Sequence, residues 1–109
     1  MVEVIHIKKA PLNYKTSPHY QYIGRPTIFG NPVKISQPCP ICSEIHYGAG
    51  DTLACYHKYF HDRIKRDPMF KKMVLALDGK YLVCYCKPAP CHGDIIADYI
   101  NSGTQGELF

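Results

Sequence analysis

Cys39-Pro40-Ile41-Cys42 carries two thiols at the C-x2-C spacing that lets both bind one tetrahedral ion. The turn between them directs amide N–H groups at the sulfurs, and zinc is the ion this pattern expects. Such a pair is half of a structural site. His46 follows at C-x3-H, and Cys55 follows Cys42 at the finger-like spacing C-x12-C. Cys86 is a further candidate to complete the site, and His57 and His61 stand at i, i+4 on one helix flank. Each of these taken singly is as easily a packed or solvated side chain. Cys55 points away from the apolar stripe around it, which favours a role for it. The even count of 6 cysteines also leaves three disulfides open.

A second cluster is Cys84-Tyr85-Cys86-Lys87-Pro88-Ala89-Pro90-Cys91-His92-Gly93-Asp94. Cys84 and Cys86 lie two apart on a strand and share one face. The chain then leaves the carboxyl end of that strand, where open α/β sheets bind ligands. Cys91 and His92 fall at a helix N-terminus, whose dipole and free amides favour an anion and lower a thiol pKa. Asp94 can cap that helix or fix the tautomer of His92. Three uses follow: a metal site from Cys84 or Cys86 with Cys91 and His92, an activated Cys91 assisted by His92 or Asp94, or buried thiols in a Pro-rich turn.

A third feature is Gly24-Arg25-Pro26-Thr27-Ile28-Phe29-Gly30-Asn31-Pro32. Arg25 offers a fork for a carboxylate or phosphate. Asn31 can read an amide or a base edge, or it can simply bond the backbone of its own turn.

The elements that must position these groups follow from the pattern of apolar residues. Val2, Val4, Ile5 and Ile7 give a first strand, Tyr20 to Ile23 a second, and Lys80 to Tyr85 a third, buried on both faces. Residues 34–50 form an irregular, zinc-knuckle-like insertion loop. Asp51 caps a helix to about Arg66 with Leu53, Tyr56, Phe60 and Ile64 on one face. Asp67-Pro68 starts a second helix that buries Met69, Met73, Val74 and Leu77 and stops at Gly79. A last helix runs from about His92 to Asn101, ended by Gly103, with a frayed tail to Phe109. Its inward positions are Ile95, Ile96, Tyr99 and Ile100. The expected architecture is a single domain over residues 1–109. It is a small α/β sandwich with a short, mostly parallel sheet of about three strands flanked by about three helices. Right-handed crossovers place helices on both faces.

The 109 residues carry 13 Lys+Arg against 9 Asp+Glu, a net charge of +4 that allows an anionic ligand or weak nucleic-acid binding but demands neither. No apolar run approaches the roughly 20 residues of a membrane span, and the N-terminus has no apolar signal region. The chain reads as cytoplasmic, a compartment where clustered cysteines serve as metal ligands or reactive thiols more often than as disulfides.

Tyr22-Ile-Gly-Arg-Pro-Thr-Ile-Phe-Gly-Asn-Pro32 and Gly79-Lys-Tyr-Leu-Val-Cys-Tyr-Cys-Lys-Pro-Ala-Pro-Cys-His-Gly-Asp94 together resemble the paired signatures of domain of unknown function family 4326. A Tyr-rich amphipathic helix between the signatures fits the same pattern. The resemblance implies fold and site location more than activity. A fainter similarity to domain of unknown function family 488 pairs Cys84 with Cys91 and His92. The loop at 34–50 is longer than the family's usual pattern, so zinc there follows from this sequence and not from the family.

Two functions compete. In one, Arg25, Asn31, Cys84, Cys91 and His92 converge at a single pocket mouth on a nucleotide-like or other anionic small molecule, as a binder or an enzyme. In the other, a zinc-stabilised module binds nucleic acid or protein without catalysis.

Overall fold

The structure, a computed structural model, describes residues 1–85, 87 and 89–106. Cys86 and the tail expected to fray at 107–109 lie outside the described residues. Three strands, β1 (Glu3–His6), β2 (Tyr20–Tyr22) and β3 (Tyr81–Cys84), form one sheet in the order β1-β3-β2. Both pairings are parallel, with His6 opposite Cys84 and Tyr22 opposite Val83. β3 is central: Tyr81 at its start is exposed, and Leu82, Val83 and Cys84 are all buried. This is the burial expected of an apolar run in a parallel sheet.

Three helices complete the fold: α1 (Leu53–Arg66), α2 (Pro68–Leu75) and α3 (His92–Gly106). Tyr56, Phe60 and Ile64 of α1, Phe70 and Val74 of α2, and Ile96, Ala97 and Ile100 of α3 share one core. From the sheet, Val4, Leu82 and Cys84 enter this core, all from one face in the observed register. The opposite face carries Glu3, Ile5, Tyr20, Tyr22, Tyr81 and Val83, with Tyr20 and Tyr81 stacked at 5.2 Å. The helices therefore gather on one side and do not divide between both faces. The link from β1 to β2 is too short to carry a helix across the second face; only the long crossover from β2 to β3 contains α1 and α2.

Local signals explain most element ends. The Asp67 side chain accepts from Phe70 N–H at 3.0 Å and Pro68 opens α2, as a capped N-terminus requires. Gly79 takes φ +88°, the left-handed conformation that closes the turn after α2. Three helical expectations need correction. Asp51 does not cap α1; it sits in a 3-10 turn over Ala49–Thr52, and α1 begins at Leu53. In α2 the inward residues are Phe70 and Val74, while Met69 and Met73 are exposed. Phe70 meets the Phe60 ring at 5.8 Å and carries the Arg63 guanidinium on its other side at 4.3 Å, an aromatic anchor that flexible methionine cannot match. α3 continues through Gly103 to Gly106, since one glycine costs a helix only about 1 kcal/mol and does not end it.

Gly93 in the first turn of α3 is where helix and sheet come closest. A Cβ there meets Ile23 Cδ1 at 2.6 Å and Val4 Cγ1 at 3.0 Å. Helix propensity alone favours alanine by up to ~1 kcal/mol, whereas overpacking costs roughly 1–3 kcal/mol. The expected result for Gly93→Ala is a lower urea midpoint with an unchanged far-ultraviolet circular dichroism spectrum. A variant as stable as the parent would mean that the approach of α3 to the sheet is not tight.

Candidate functional site

The loop after Pro32 turns back on itself through an antiparallel bridge between Pro38 and Ile45. Cys39 N–H donates to Glu44 O at 2.8 Å, and Ser43 N–H to Cys39 O at 2.9 Å. Ser43 adopts a φ of 69° to reverse the chain. Inside this turn the amides of Ile41 and Cys42 point at Cys39 Sγ, at 3.3 and 3.5 Å. These are the N–H groups that the C-x2-C spacing is expected to aim at a thiolate.

His46 Nε2 lies 3.4 Å from both Cys42 Sγ and Cys55 Sγ. The ligand atoms of Cys39, Cys42, His46 and Cys55 all fall within 4.8 Å of one another. Three sulfurs and one imidazole so arranged form a closed Cys3His set able to coordinate a metal ion. Among the described residues this is the one such cluster. Of the groups considered for completing the site, His46 and Cys55 join it. His57 and His61 do not; their rings pack on each other at 4.3 Å. Cys55 reaches the cluster from the first turns of α1, so the site pins the loop to that helix.

The electrostatics of the cluster fit a cation. Burial works to raise the Cys39 thiol, but the amides of Cys42 and Ile41 and the ring of His46 outweigh it and bring it down to about 6. Burial and then the neighbouring Cys42 and Cys39 sulfurs push Cys55 up to about 12. One thiolate thus opposes the next, and a bound dication removes that opposition.

A second feature is a cavity of about 340 Å³ at the carboxyl end of β3. Arg25, Asn31, Cys84, Cys91 and His92 all line it, so the two signature segments meet at one mouth. Tyr22, Tyr85, Val33, Ile35, Thr52 and Pro90 complete much of its wall, and sequence reasoning did not single them out. Tyr22 and Tyr85 flank the signature cysteines and arginine in the chain, which was the available signal. Their rings meet edge-on at 6.0 Å. Thr52 gave no signal of its own.

The side chains around this mouth have separate partners. Asn31 makes the bond to its own turn that the sequence offers as one alternative, its Oδ1 accepting from Val33 N–H at 2.9 Å, and its Nδ2 donates to Thr52 Oγ1 at 2.9 Å. Arg25 is exposed at the rim, and among the described residues no carboxylate forms a salt bridge with it. Gly30 packs flat against it; a Cβ there meets the Arg25 backbone at 3.1 Å.

Asp94 caps α3. Its Oδ2 accepts from Cys91 N–H at 3.0 Å, and its other oxygen pairs with Lys87. It does not orient His92. His92 Nε2–H donates instead to the carbonyl of Ile23 at 2.7 Å, which fixes the tautomer because a carbonyl can only accept. Cys91 does not show the lowered thiol pKa expected at a helix N-terminus. Burial, reinforced by Cys84, pushes it up to about 12, which overrides the helix dipole. With Nε2 committed to Ile23, a metal site from Cys84, Cys91 and that nitrogen is not formed either.

The family model described as Domain of unknown function (DUF4326) matches residues 5–102. The chain belongs to the DUF4326 family. The match spans both signature segments, the knuckle loop and all three strands except the start of β1. An uncharacterized 12.4 kDa protein in the nrdA-td intergenic region of enterobacteria phage T4 is 48% identical over 46 residues, which cover 42% of this chain and 43% of the relative. The DUF4326 chain thus spans less than half the length of that curated relative. No solved structure matches it. Among the described residues, no helix is long and apolar enough to cross a membrane.

The His92 arrangement has a pH signature. Burial lowers the His92 pKa from 6.5, and the charge on Arg25 works in the same sense. The unfolded chain therefore takes up a proton that the folded one refuses. The stability due to neutral His92 is fully present above its unfolded pKa of about 6.5 and is lost as pH falls through the lowered folded value. His61, also lowered chiefly by burial, acts in the same direction. Urea midpoints measured between about pH 7 and pH 5 should drop for the parent and drop less for His92→Gln, which keeps a donor for Ile23. Equal slopes would remove His92 from the account.

Proposed function

We propose that this DUF4326 protein is a zinc-stabilised binding domain whose cavity takes a small anionic, nucleotide-like ligand. Zinc at Cys39, Cys42, His46 and Cys55 is structural in this reading. All four ligands come from the protein, so no position stays open for a water to be activated. The metal's task is to hold the loop bearing Val33 and Ile35 against α1, where they form one wall of the cavity.

The observation that carries the ligand is Arg25. It stands at the rim of a cavity that, among the described residues, no carboxylate lines, which leaves its fork free for a phosphate. The Tyr22 and Tyr85 rings beside it, with Val33, Ile35 and Pro90, supply the flat and apolar surface a base requires. Binding is favoured over catalysis. Burial and Cys84 raise the Cys91 thiol, His92 Nε2–H is held by Ile23, and Asp94 caps α3. A nucleic-acid strand is a second source of the same phosphate chemistry. A groove of about 460 Å³ between the knuckle residues Pro40 and Ile41 and α1 favours it through Lys58 and Lys65, Arg66 there being paired with Asp62.

Elemental analysis of purified protein tests the metal. The expected result is about one zinc per chain, lost in Cys55→Ser together with a lower melting temperature. Metal-free protein that melts at the same temperature with and without chelator would overturn it.

Calorimetric titration at low salt with nucleoside monophosphates and with a short single-stranded oligonucleotide tests the ligand. Mononucleotide binding weakened at least ~10-fold by Arg25→Ala is the expected outcome. Oligonucleotide binding lost in Lys65→Ala and indifferent to Arg25→Ala supports the nucleic-acid reading instead. No heat with either ligand rejects both.

A further inference from the structure

Cys84 and Cys91 belong neither to the metal cluster nor to the proposed ligand contacts. Their sulfurs lie 3.6 Å apart. Cys84 closes the central strand, held in register opposite His6 of β1. Cys91 immediately precedes α3, its N–H on the Asp94 carboxylate and its carbonyl accepting from Asp94 N–H at 3.0 Å. Both side chains are almost fully buried, at 1% and 2% exposure, yet both face the cavity, which opens to solvent. A small oxidant therefore has a route to a sulfur pair that larger reagents do not reach.

We propose that Cys84 and Cys91 are a two-electron redox site that closes to an intramolecular disulfide when hydrogen peroxide enters the cavity. One sulfur gives its proton to a cavity water and attacks a peroxide oxygen as the thiolate; the O–O bond breaks, and the leaving hydroxide takes up that proton to become water. This leaves a sulfenic acid. The second sulfur then attacks the first, the S–O bond breaks, and the departing hydroxide takes the second thiol proton. Two thiols and one peroxide thus give one disulfide and two waters. The sulfurs must close from 3.6 Å to the ~2.05 Å of an S–S bond, a shift within reach of side-chain rotation. A dithiol reductant such as dithiothreitol reverses the change by exchange. The site is distinct from the zinc cluster and does not depend on what the cavity binds.

The test uses full-length Cys86→Ser protein loaded with zinc and treated with equimolar hydrogen peroxide. Zinc release is followed with a colorimetric chelator, and thiols are mapped by alkylation after denaturation and fragment mass spectrometry. The expected outcome is loss of two hydrogens assigned to a Cys84–Cys91 link, retention of zinc, and full reversal by dithiothreitol. Cys91→Ala should remove the link; where that variant does not fold, the alkylation map of the parent decides alone. Cys84 and Cys91 both alkylated after peroxide, a stable sulfinic acid at either, or oxidation confined to Cys39, Cys42 and Cys55 with zinc release would each overturn the proposal.

Discussion

The hydrogen bond from His92 Nε2–H to the carbonyl of Ile23 joins segments 69 residues apart and is buried from solvent. It ties the end of β2 to the start of α3. Everything on either side of the cavity depends on that tie. Beyond Ile23 the chain turns at once into the segment that displays Arg25 and Asn31. Just before His92 it carries Cys91. Gly93 makes the tie possible by letting the helix backbone approach Ile23 and Val4 with no side chain between them. Cost and specificity follow from burial: an imidazole taken out of water must find its partner, and a carbonyl accepts only one tautomer.

The metal cluster and the Ile23 tie do different work on the same cavity. The hydrogen bond sets the floor, where sheet and α3 meet. The four-residue cluster joins the loop that carries Val33 and Ile35 to α1, because Cys55 belongs to α1 while Cys39, Cys42 and His46 belong to the loop. Neither arrangement needs the outer face of the sheet. That face keeps its tyrosines in contact with each other and with solvent.

Much of this was legible in the chain because the governing interactions are local. The C-x2-C turn, the Asp67-Pro68 cap and the apolar run of β3 are written in a few adjacent residues, and the structure reproduces them. The parallel sheet followed from the long stretch between short strands. The inward face of α2 was not legible. Met69 and Phe70 are neighbours, and only packing against Phe60 and Arg63 selects the ring. The direction of the Cys91 shift was not legible for a related reason. A helix terminus is visible in sequence, but the burial and the second sulfur that outweigh its field come from β3. His92 and Asp94 sit side by side in the chain, yet they serve partners on different elements. Asn31 combines both kinds of signal: its bond to Val33 is local and legible, while its bond to Thr52 is made only by the fold.

That same asparagine bridges the two roots of the knuckle segment, accepting from Val33 on the incoming side and donating to Thr52 on the outgoing side. The intervening stretch is thereby a closed lariat fastened at its neck. Whatever length or ligand set it carries, the pinch point keeps the cavity's framework in place. A change of length inside the lariat leaves its two roots at the same separation beneath the cavity.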